Sequence, residues 1–269
     1  MNRFRGYARG KFGQVHFSVQ GPGPGLVRPL LMCHQSPSSL RHFDPVYPLL
    51  AAAGITTIGV DNPGFGYSDV PDRVPAIEDY ADAVMSVMDE LKLEQADILG
   101  QHTGSMVATE AVIRHPARFR RLVLNAPTPF TAEECRQWLD TVVARQKAWK
   151  PLRDGSHLQA VWDRRARAAP DWTSIPAMHR HVVQMLIAGD TLWYGHNAAF
   201  HYDHMARLPL IKHPTLVLTN TGDAVFQVCR RVYEARPDFK RVELVGGTND
   251  IVDEQPEAWT AAVVEFLKA

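Results

Sequence analysis

Residues 96–105 read Ala-Asp-Ile-Leu-Gly-Gln-His-Thr-Gly-Ser, and this stretch decides how the rest of the chain is interpreted. Its first four residues are predicted to form a short strand, and the apolar residues of 105–114 recur at the spacing of a helix. Gly100 and Gly104 flank the tight turn between these elements, and their lack of side chains lets the turn pack closely. His102, midway between the glycines, is therefore expected to expose its side chain above the sheet.

Outward from this turn, short runs of β-forming residues alternate with amphipathic stretches of helical period. This alternation is typical of an α/β fold with a mostly parallel, twisted sheet and helices on both faces. The predicted strands lie at about 4–9, 13–19, 29–33, 56–60, 96–99, 121–124, 215–218 and 242–245. The predicted helices lie at about 43–53, 77–93, 105–114, 226–235 and 257–268.

The stretch from about residue 130 to residue 208 interrupts the alternation. It contains helical patterns, most of the tryptophans and many histidines and arginines, but no convincing buried strand. We interpret 130–208 as a helical cap inserted over the sheet, with residues 1–129 and 209–269 forming one α/β core.

Composition limits the classes of partner. The 269 residues, 45% of them hydrophobic, suffice for a large core. The 29 basic and 29 acidic residues cancel, so no overall field favours nucleic acid or an anionic membrane. We therefore expect a small-molecule substrate, neutral by default, with no nucleic-acid or membrane partner; the sequence leaves a homodimer open.

The cysteines and the apolar runs indicate in which cellular compartment the protein is expected. The three cysteines, Cys33, Cys135 and Cys229, are widely spaced and odd in number, which favours neither a disulfide framework nor a structural zinc site. No run resembles a secretory signal or the roughly 20 apolar residues of a membrane span. The sequence therefore predicts a soluble, unprocessed protein in the reducing cytoplasm.

Loops at the carboxyl ends of parallel strands converge on one crevice, and four such loops carry recognisable motifs. They are His34-Gln35-Ser36-Pro37, Asp61-Asn62-Pro63-Gly64-Phe65-Gly66-Tyr67-Ser68, Gly222-Asp223 and Gly246-Gly247-Thr248-Asn249-Asp250. Together with the turn at His102 they resemble the α/β-hydrolase superfamily over nearly the whole chain outside the cap. The first two are similar to its oxyanion loop and its D-x-P-G-x-G-x-S loop.

The resemblance also implies two departures from the family's pattern. His102 stands where the G-x-S-x-G elbow has its nucleophilic serine, and Asn249, seven residues before Pro256, stands at the place of the catalytic histidine. Only the acid position, Asp223, is ordinary. A serine triad needs nucleophile, base and acid together, so the acyl-serine mechanism does not carry over.

The remaining parts still suggest carbonyl chemistry. The backbone N–H groups of Ser36 and Thr103 are expected to form an oxyanion hole. His102 can act near neutral pH as a general base or, less simply, as a nucleophile. Asn249 is expected to bridge to the imidazole and fix its tautomer, with Asp223 orienting it. This set, His102, Asp223 and Asn249, forms the predicted catalytic group, and no cofactor is expected.

Six further side chains are candidates for contact with a substrate, although each also has a structural interpretation. His34 is more typical of support for the oxyanion loop, and Gln35 replaces a glycine of the family pattern. The candidates are His34, Gln35, Gln101, Phe65, Trp193 and His201. His196, His201 and His204 lie close together in the cap, but no carboxylate or cysteine completes a ligand pattern, so no metal site is predicted.

These observations favour a cofactor-independent enzyme that acts on an ester, lactone or activated ketone through His102 and the oxyanion hole. A lyase, decarboxylase or cyclase would use the same base without needing an acylable serine. A ligand-binding pseudoenzyme with a decayed triad is the third interpretation.

Overall fold

The computed structural model describes residues 2–23, 26, 29–169 and 174–269. Its eight strands form one sheet in the order β1-β2-β4-β3-β5-β6-β7-β8. The strands are β1 (Asn2–Gly10), β2 (Gly13–Gly21), β3 (Leu30–Cys33), β4 (Thr57–Val60), β5 (Ala96–Gln101), β6 (Phe119–Asn125), β7 (Thr215–Asn220) and β8 (Lys240–Leu244). The pairs β1–β2 and β2–β4 are antiparallel, and the others are parallel.

Thirteen α-helices lie within the described ranges. They are α1 (Tyr47–Ala52), α2 (Ile77–Glu90), α3 (Thr103–Arg114), α4 (Ala132–Trp138), α5 (Ala144–Lys147), α6 (Ser156–Ala168), α7 (Ile175–Ala188), α8 (Tyr194–Phe200), α9 (His204–Arg207), α10 (Phe226–Cys229), α11 (Arg231–Ala235), α12 (Ile251–Glu254) and α13 (Pro256–Lys268). None of the described helices is long and apolar enough to cross a membrane.

The central strands are buried on both faces, which explains their continuous apolar sequence. Side chains alternate across a strand, so Leu31 and Cys33 of β3 pack with α2 and α3, whereas Leu30 and Met32 pack with α1 and α13. Both halves of the core contain fully buried side chains. The predicted α/β architecture, with helices on both faces of a mostly parallel sheet, is confirmed.

The boundaries of some predicted elements shift. The helix predicted at 43–53 begins only at Tyr47, because a 3₁₀ turn at Leu40–Phe43 precedes it and Pro48 suits a first helical turn. The helix predicted at 77–93 ends at Glu90, and Lys92 then adopts a positive φ of 54°. Strand β8 begins at Lys240, two residues earlier than predicted.

The segment between β6 and β7 holds α4 to α9 and a π-helical turn at Leu139–Val143. Polar contacts attach it to the core. The Gln184 amide oxygen accepts hydrogen bonds from the Ser39 N–H at 3.0 Å and from the Ser38 and Ser39 hydroxyls. At the far end, the His204 ring bonds the Thr109 hydroxyl of α3 at 3.1 Å. These contacts attach the segment to the loop after β3 and to α3.

Backbone contact around residues 100–104 is too close for side chains. A Cβ at Gly100 would lie 1.9 Å from the Gly104 carbonyl oxygen, and a Cβ at Gly104 would lie 2.1 Å from the Cys33 carbonyl oxygen. Neither obstacle is a flexible side chain, so α3 would have to move away from β3.

Replacing Gly104 with alanine is therefore expected to lower the free energy of unfolding by about 3 kcal/mol or more, because the methyl group overlaps backbone. Gly23→Ala is the control, since a Cβ at Gly23 would have no other atom within 4 Å. Urea denaturation followed by circular dichroism measures both. Equal stability of the two variants would contradict this account of the turn.

A second prediction concerns His204, whose fully buried ring has its pKa lowered to about 3 by burial. The folded state holds this ring neutral while the unfolded state protonates it below about pH 6.5, so stability should fall as the pH drops below 6.5. Between pH 7.5 and pH 5, His204 is expected to lower the free energy of unfolding by about 2 kcal/mol.

The variant His204→Gln should flatten this decline in urea titrations at pH 7.5 and 5. The exposed His179 provides the control, because water solvates its ring in both states. An unchanged pH dependence in His204→Gln, or an equal flattening in His179→Gln, would contradict the prediction.

Candidate active site

His102 occupies a strained turn between β5 and α3. Its backbone adopts φ 49° and ψ −115°, a conformation that residues other than glycine rarely adopt. Its N–H donates to the Asn125 carbonyl at 3.0 Å, and its carbonyl accepts from the Ser105 N–H at 2.8 Å. The Ser105 hydroxyl donates to the same carbonyl at 2.6 Å. The neighbouring serine is thereby engaged with backbone.

The side chain of His102 reaches the carboxylate of Asp223. Its Nε2 lies 2.9 Å from Asp223 Oδ2, and the two side chains are 14% and 2% exposed. The second oxygen of Asp223 accepts from the Val225 N–H at 2.9 Å. Burial alone would raise the pKa of Asp223, but the charge and hydrogen bond of His102 and the Val225 amide outweigh it and lower that pKa. Asp223 is thus held ionised beside the imidazole.

This contact decides which ring nitrogen is basic. A carboxylate can only accept, so Nε2 carries the proton and Nδ1 keeps its lone pair. No other described side chain hydrogen-bonds Nδ1. In a serine triad the carboxylate ordinarily binds Nδ1 and leaves Nε2 as the base, so the ring is used here in the reverse sense.

Asn249 does not form the predicted bridge between Asp223 and the imidazole. Among the described residues its side chain hydrogen-bonds neither of them, and its backbone carbonyl accepts from Gln101 Nε2 at 3.0 Å. The Gln101 oxygen accepts from His42 Nε2 at 2.8 Å. Asp223 reaches His102 directly, so no bridging residue is needed, and Asn249 instead faces a cavity.

That cavity has a volume of about 270 Å³ and brings predicted residues together. Gln35, Ser36 and Asn249 line it, and so does His196 of α8. His196 is close enough to His102 for the two rings to interact electrostatically: burial, then the charge of His102 and that of Arg145, lowers the pKa of His196 to about 4. The cavity therefore lies near His102 through His196, although neither His102 nor Asp223 lines it.

The two predicted oxyanion-hole residues lie at the ends of different elements. Thr103 is the first residue of α3, where backbone N–H groups have no acceptor within the helix. Ser36 follows β3, and its buried hydroxyl has no hydrogen-bond partner among the described residues. Gly195 of α8 lies against it, since a Cβ at Gly195 would be 1.9 Å from the Ser36 oxygen.

Three of the candidates for substrate contact are buried supports. His34 is fully buried; its Nδ1–H donates to the Gln35 carbonyl at 2.8 Å, and its Nε2 accepts from the Asn62 N–H at 3.1 Å. Both ring nitrogens are thus used within the protein. Phe65 is 1% exposed and packs edge-on against His34, and Gln101 is fully buried. These side chains hold the loops that frame the cavity.

Two other candidates lie elsewhere in the cap. Trp193 packs edge-on against Tyr194, and the Lys147 ammonium lies 4.9 Å from its ring centre. His201 is exposed, bonds the Asn197 carbonyl at 2.8 Å and lines other surface grooves, not the cavity. No three His, Cys, Asp or Glu side chains of the described ranges are arranged to hold a metal ion.

The cavity also contains side chains that the sequence did not single out. Arg145, Arg164 and Arg165 of the cap line it together with His181 of α7. No motif marks these residues, because the rotation of the cap helices decides which side chains point inward.

Comparisons with known proteins agree with this architecture. The chain is 36% identical over 114 residues to a 2-hydroxymuconate semialdehyde hydrolase of Pseudomonas sp. (strain CF600), a match to 41% of this chain and 39% of that relative. The chain spans 36–48% of the length of the first four curated relatives it matches.

Two solved structures share the fold over almost the whole chain. A hydrolase from Pseudomonas aeruginosa PA01 has a TM-score of 0.85 at 21% identity, with 98% of both chains covered. The enol-lactonase from Burkholderia xenovorans LB400 has a TM-score of 0.72 at 22% identity, with 98% of this chain and 100% of that chain covered.

A family model described as alpha/beta hydrolase fold matches residues 28–254, and with that match, the sheet order and the strand–turn–helix at His102, the chain belongs to the α/β hydrolase fold family.

Proposed function

We propose that this protein is a cofactor-independent enzyme that hydrolyses a carbonyl-bearing small molecule, an ester, a lactone or an activated ketone. His102 stands at the nucleophile-elbow position in place of serine and serves as general base. The observation that carries the proposal is the 2.9 Å hydrogen bond between His102 Nε2 and Asp223 Oδ2.

The hydrogen bond favours a general base over a nucleophile. When Nδ1 takes up a proton, the ring becomes an imidazolium, and the buried carboxylate of Asp223 stabilises that charge. The same carboxylate fixes the ring's orientation and tautomer. Imidazole changes protonation near neutral pH, which suits it to accept and return a proton in one turnover.

The proposed reaction needs one water molecule and no covalent enzyme intermediate. His102 Nδ1 removes a proton from the water, whose oxygen attacks the carbonyl carbon of the substrate. The N–H groups of Ser36 and Thr103 donate to the resulting oxyanion. The intermediate then collapses, the bond to the leaving group breaks, and the imidazolium returns its proton to that group. Each turnover restores neutral His102.

The relatives support hydrolysis as the reaction class. One is named a 2-hydroxymuconate semialdehyde hydrolase, and another a 2-(acetamidomethylene)succinate hydrolase. A structural neighbour is an enol-lactonase. Each of these names refers to a compound that contains a carbonyl group, which the proposed oxyanion hole would serve.

A lyase, decarboxylase or cyclase step, in which His102 transfers a proton without activating water, is the second candidate. Residue 102 is histidine and the Ser105 hydroxyl donates to backbone, so neither position supplies a serine nucleophile. Turnover in H₂¹⁸O distinguishes the candidates: hydrolysis places ¹⁸O in the product, whereas a lyase step leaves the product unlabelled.

The variant His102→Ala is expected to lower kcat about 10²- to 10⁴-fold for any ester or enol lactone that the protein turns over, because the base is removed. A panel of aryl esters and enol lactones identifies the substrate, and kcat is then measured spectrophotometrically. Circular dichroism checks that the variant is folded, and His179→Ala is the matched surface control. Undiminished turnover in folded His102→Ala would overturn the base assignment.

The variant Asp223→Asn should also lower kcat by about 10²-fold or more, since an amide neither fixes the same tautomer nor stabilises the imidazolium. KM should change little, because the Asp223 side chain is only 2% exposed and lies behind His102. Asp238→Asn, an exposed carboxylate paired with Arg236, is the control. A rise in KM at constant kcat would instead assign Asp223 to substrate binding.

A further inference from the structure

We propose that the cavity beside His102 binds a substrate that carries a carboxylate, and that Arg145 and Arg164 of the cap hold that carboxylate. This inference rests on the proposed function, because it names the substrate class of the same site. It differs from the neutral small molecule that the balanced net charge favours.

The first observation is that both arginines lack a counter-charge. Each lines the cavity, and neither forms an ion pair with a carboxylate of the described residues. Arg164 is half-buried. Its pKa is lowered by burial and then by the nearby positive charges of Arg145 and Arg167. Arg145 is exposed to solvent, so the free-energy cost of the missing anion falls mainly on the half-buried Arg164, and a bound carboxylate offsets that cost.

The second observation is the contrast with the other cationic groups of the cavity. Arg165 forms a buried ion pair with Asp250, and His181 Nε2 lies 2.7 Å from Asp253 Oδ2. The protein therefore supplies carboxylates for these two side chains. Because Asp250 is already engaged, it does not neutralise Arg145 or Arg164, and the cavity keeps an excess of positive charge.

The third observation connects this charge with the proposed base. His196 is partly buried, and the charges of His102 and Arg145 both lower its pKa, so His102 and Arg145 lie near the same ring. His196 Nδ1 lies 3.0 Å from the side-chain oxygen of Gln146. With its pKa near 4, His196 stays neutral at pH 7 and adds no positive charge of its own. The arginines are thus the cations available to an anion near His102.

The size of the cavity limits the substrate. About 270 Å³ lies just below the range of roughly 300–1,000 Å³ typical of ligand pockets. Planar guanidinium groups match carboxylates in geometry and can bind them through two hydrogen bonds. A compact carbonyl compound with one or two carboxylates fits these limits.

The binding test uses succinate, its neutral twin succinamide and inorganic phosphate as probes in isothermal titration calorimetry. Succinate is expected to bind and succinamide not to bind. Arg164→Gln and Arg145→Gln should each weaken succinate binding about tenfold or more, since each removes a charge-assisted hydrogen bond. Arg153→Gln, which changes an exposed arginine outside the cavity lining, is the control and should bind succinate as the unmodified protein does.

Three outcomes would overturn the inference. They are equal succinate binding in the cavity variants and the unmodified protein, equal binding of succinamide, and tighter binding of phosphate than of succinate with the same arginine dependence. The last outcome would assign the site to phosphorylated compounds.

A separate experiment tests this inference independently of the proposed function. His102→Ala should still bind succinate, because the arginines hold the anion. Arginine-dependent binding of succinate by a protein that lacks any His102-dependent turnover would support the anion site and contradict the proposed catalysis. His102-dependent turnover of neutral esters without succinate binding would do the reverse.

Discussion

The close approach of the Gly104 backbone to the carbonyl end of β3 is the constraint on which the site depends. Because no side chain separates them, the start of α3 lies directly beside the loop that contains Ser36. The positive φ of His102 follows from the same tight turn. The turn therefore sets both the direction of the imidazole and the position of the first free N–H groups of the helix, and a wider turn would separate them.

His102 and Asp223 fill the space that a nucleophile, a base and an acid fill in a serine triad. The His102 side chain extends from the turn between β5 and α3 and hydrogen-bonds the Asp223 carboxylate directly. The position that would supply the catalytic histidine, Asn249, is left to line the cavity and to accept a hydrogen bond from Gln101 through its backbone. The two departures from the family's pattern are thus linked: a histidine at residue 102 makes a second one at residue 249 unnecessary for contact with Asp223.

Much of the fold could be predicted because its signals are local. Apolar runs such as Leu30–Cys33 mark strands buried on both faces, and the glycines at 100 and 104 mark the turn. The site was predicted less completely. Sequence motifs locate His102 and Asp223, but they do not tell how far each side chain reaches, so Asn249 was expected to bridge them.

The side chains that line the cavity from the segment between β6 and β7 could not be predicted from the sequence. Arg145 and Arg164 lie on helices whose rotation depends on contacts with the core, such as those of Gln184, and no periodic pattern reveals it. A net charge summed over 269 residues also does not reveal which charged side chains line the same cavity.

The ion pairs of Asp250 and Asp253 have a mechanical consequence. Asp250 directly follows Asn249 and pairs with Arg165 of α6, whereas Asp253 of α12 pairs with Arg180 and His181 of α7. The loop that borders the reaction centre is therefore tied to the two cap helices by charge. If α6 and α7 swing outward to admit a molecule, either these buried pairs must separate or the loop must travel with the helices. As long as these ion pairs hold, any movement of the two helices also moves residues that line the cavity.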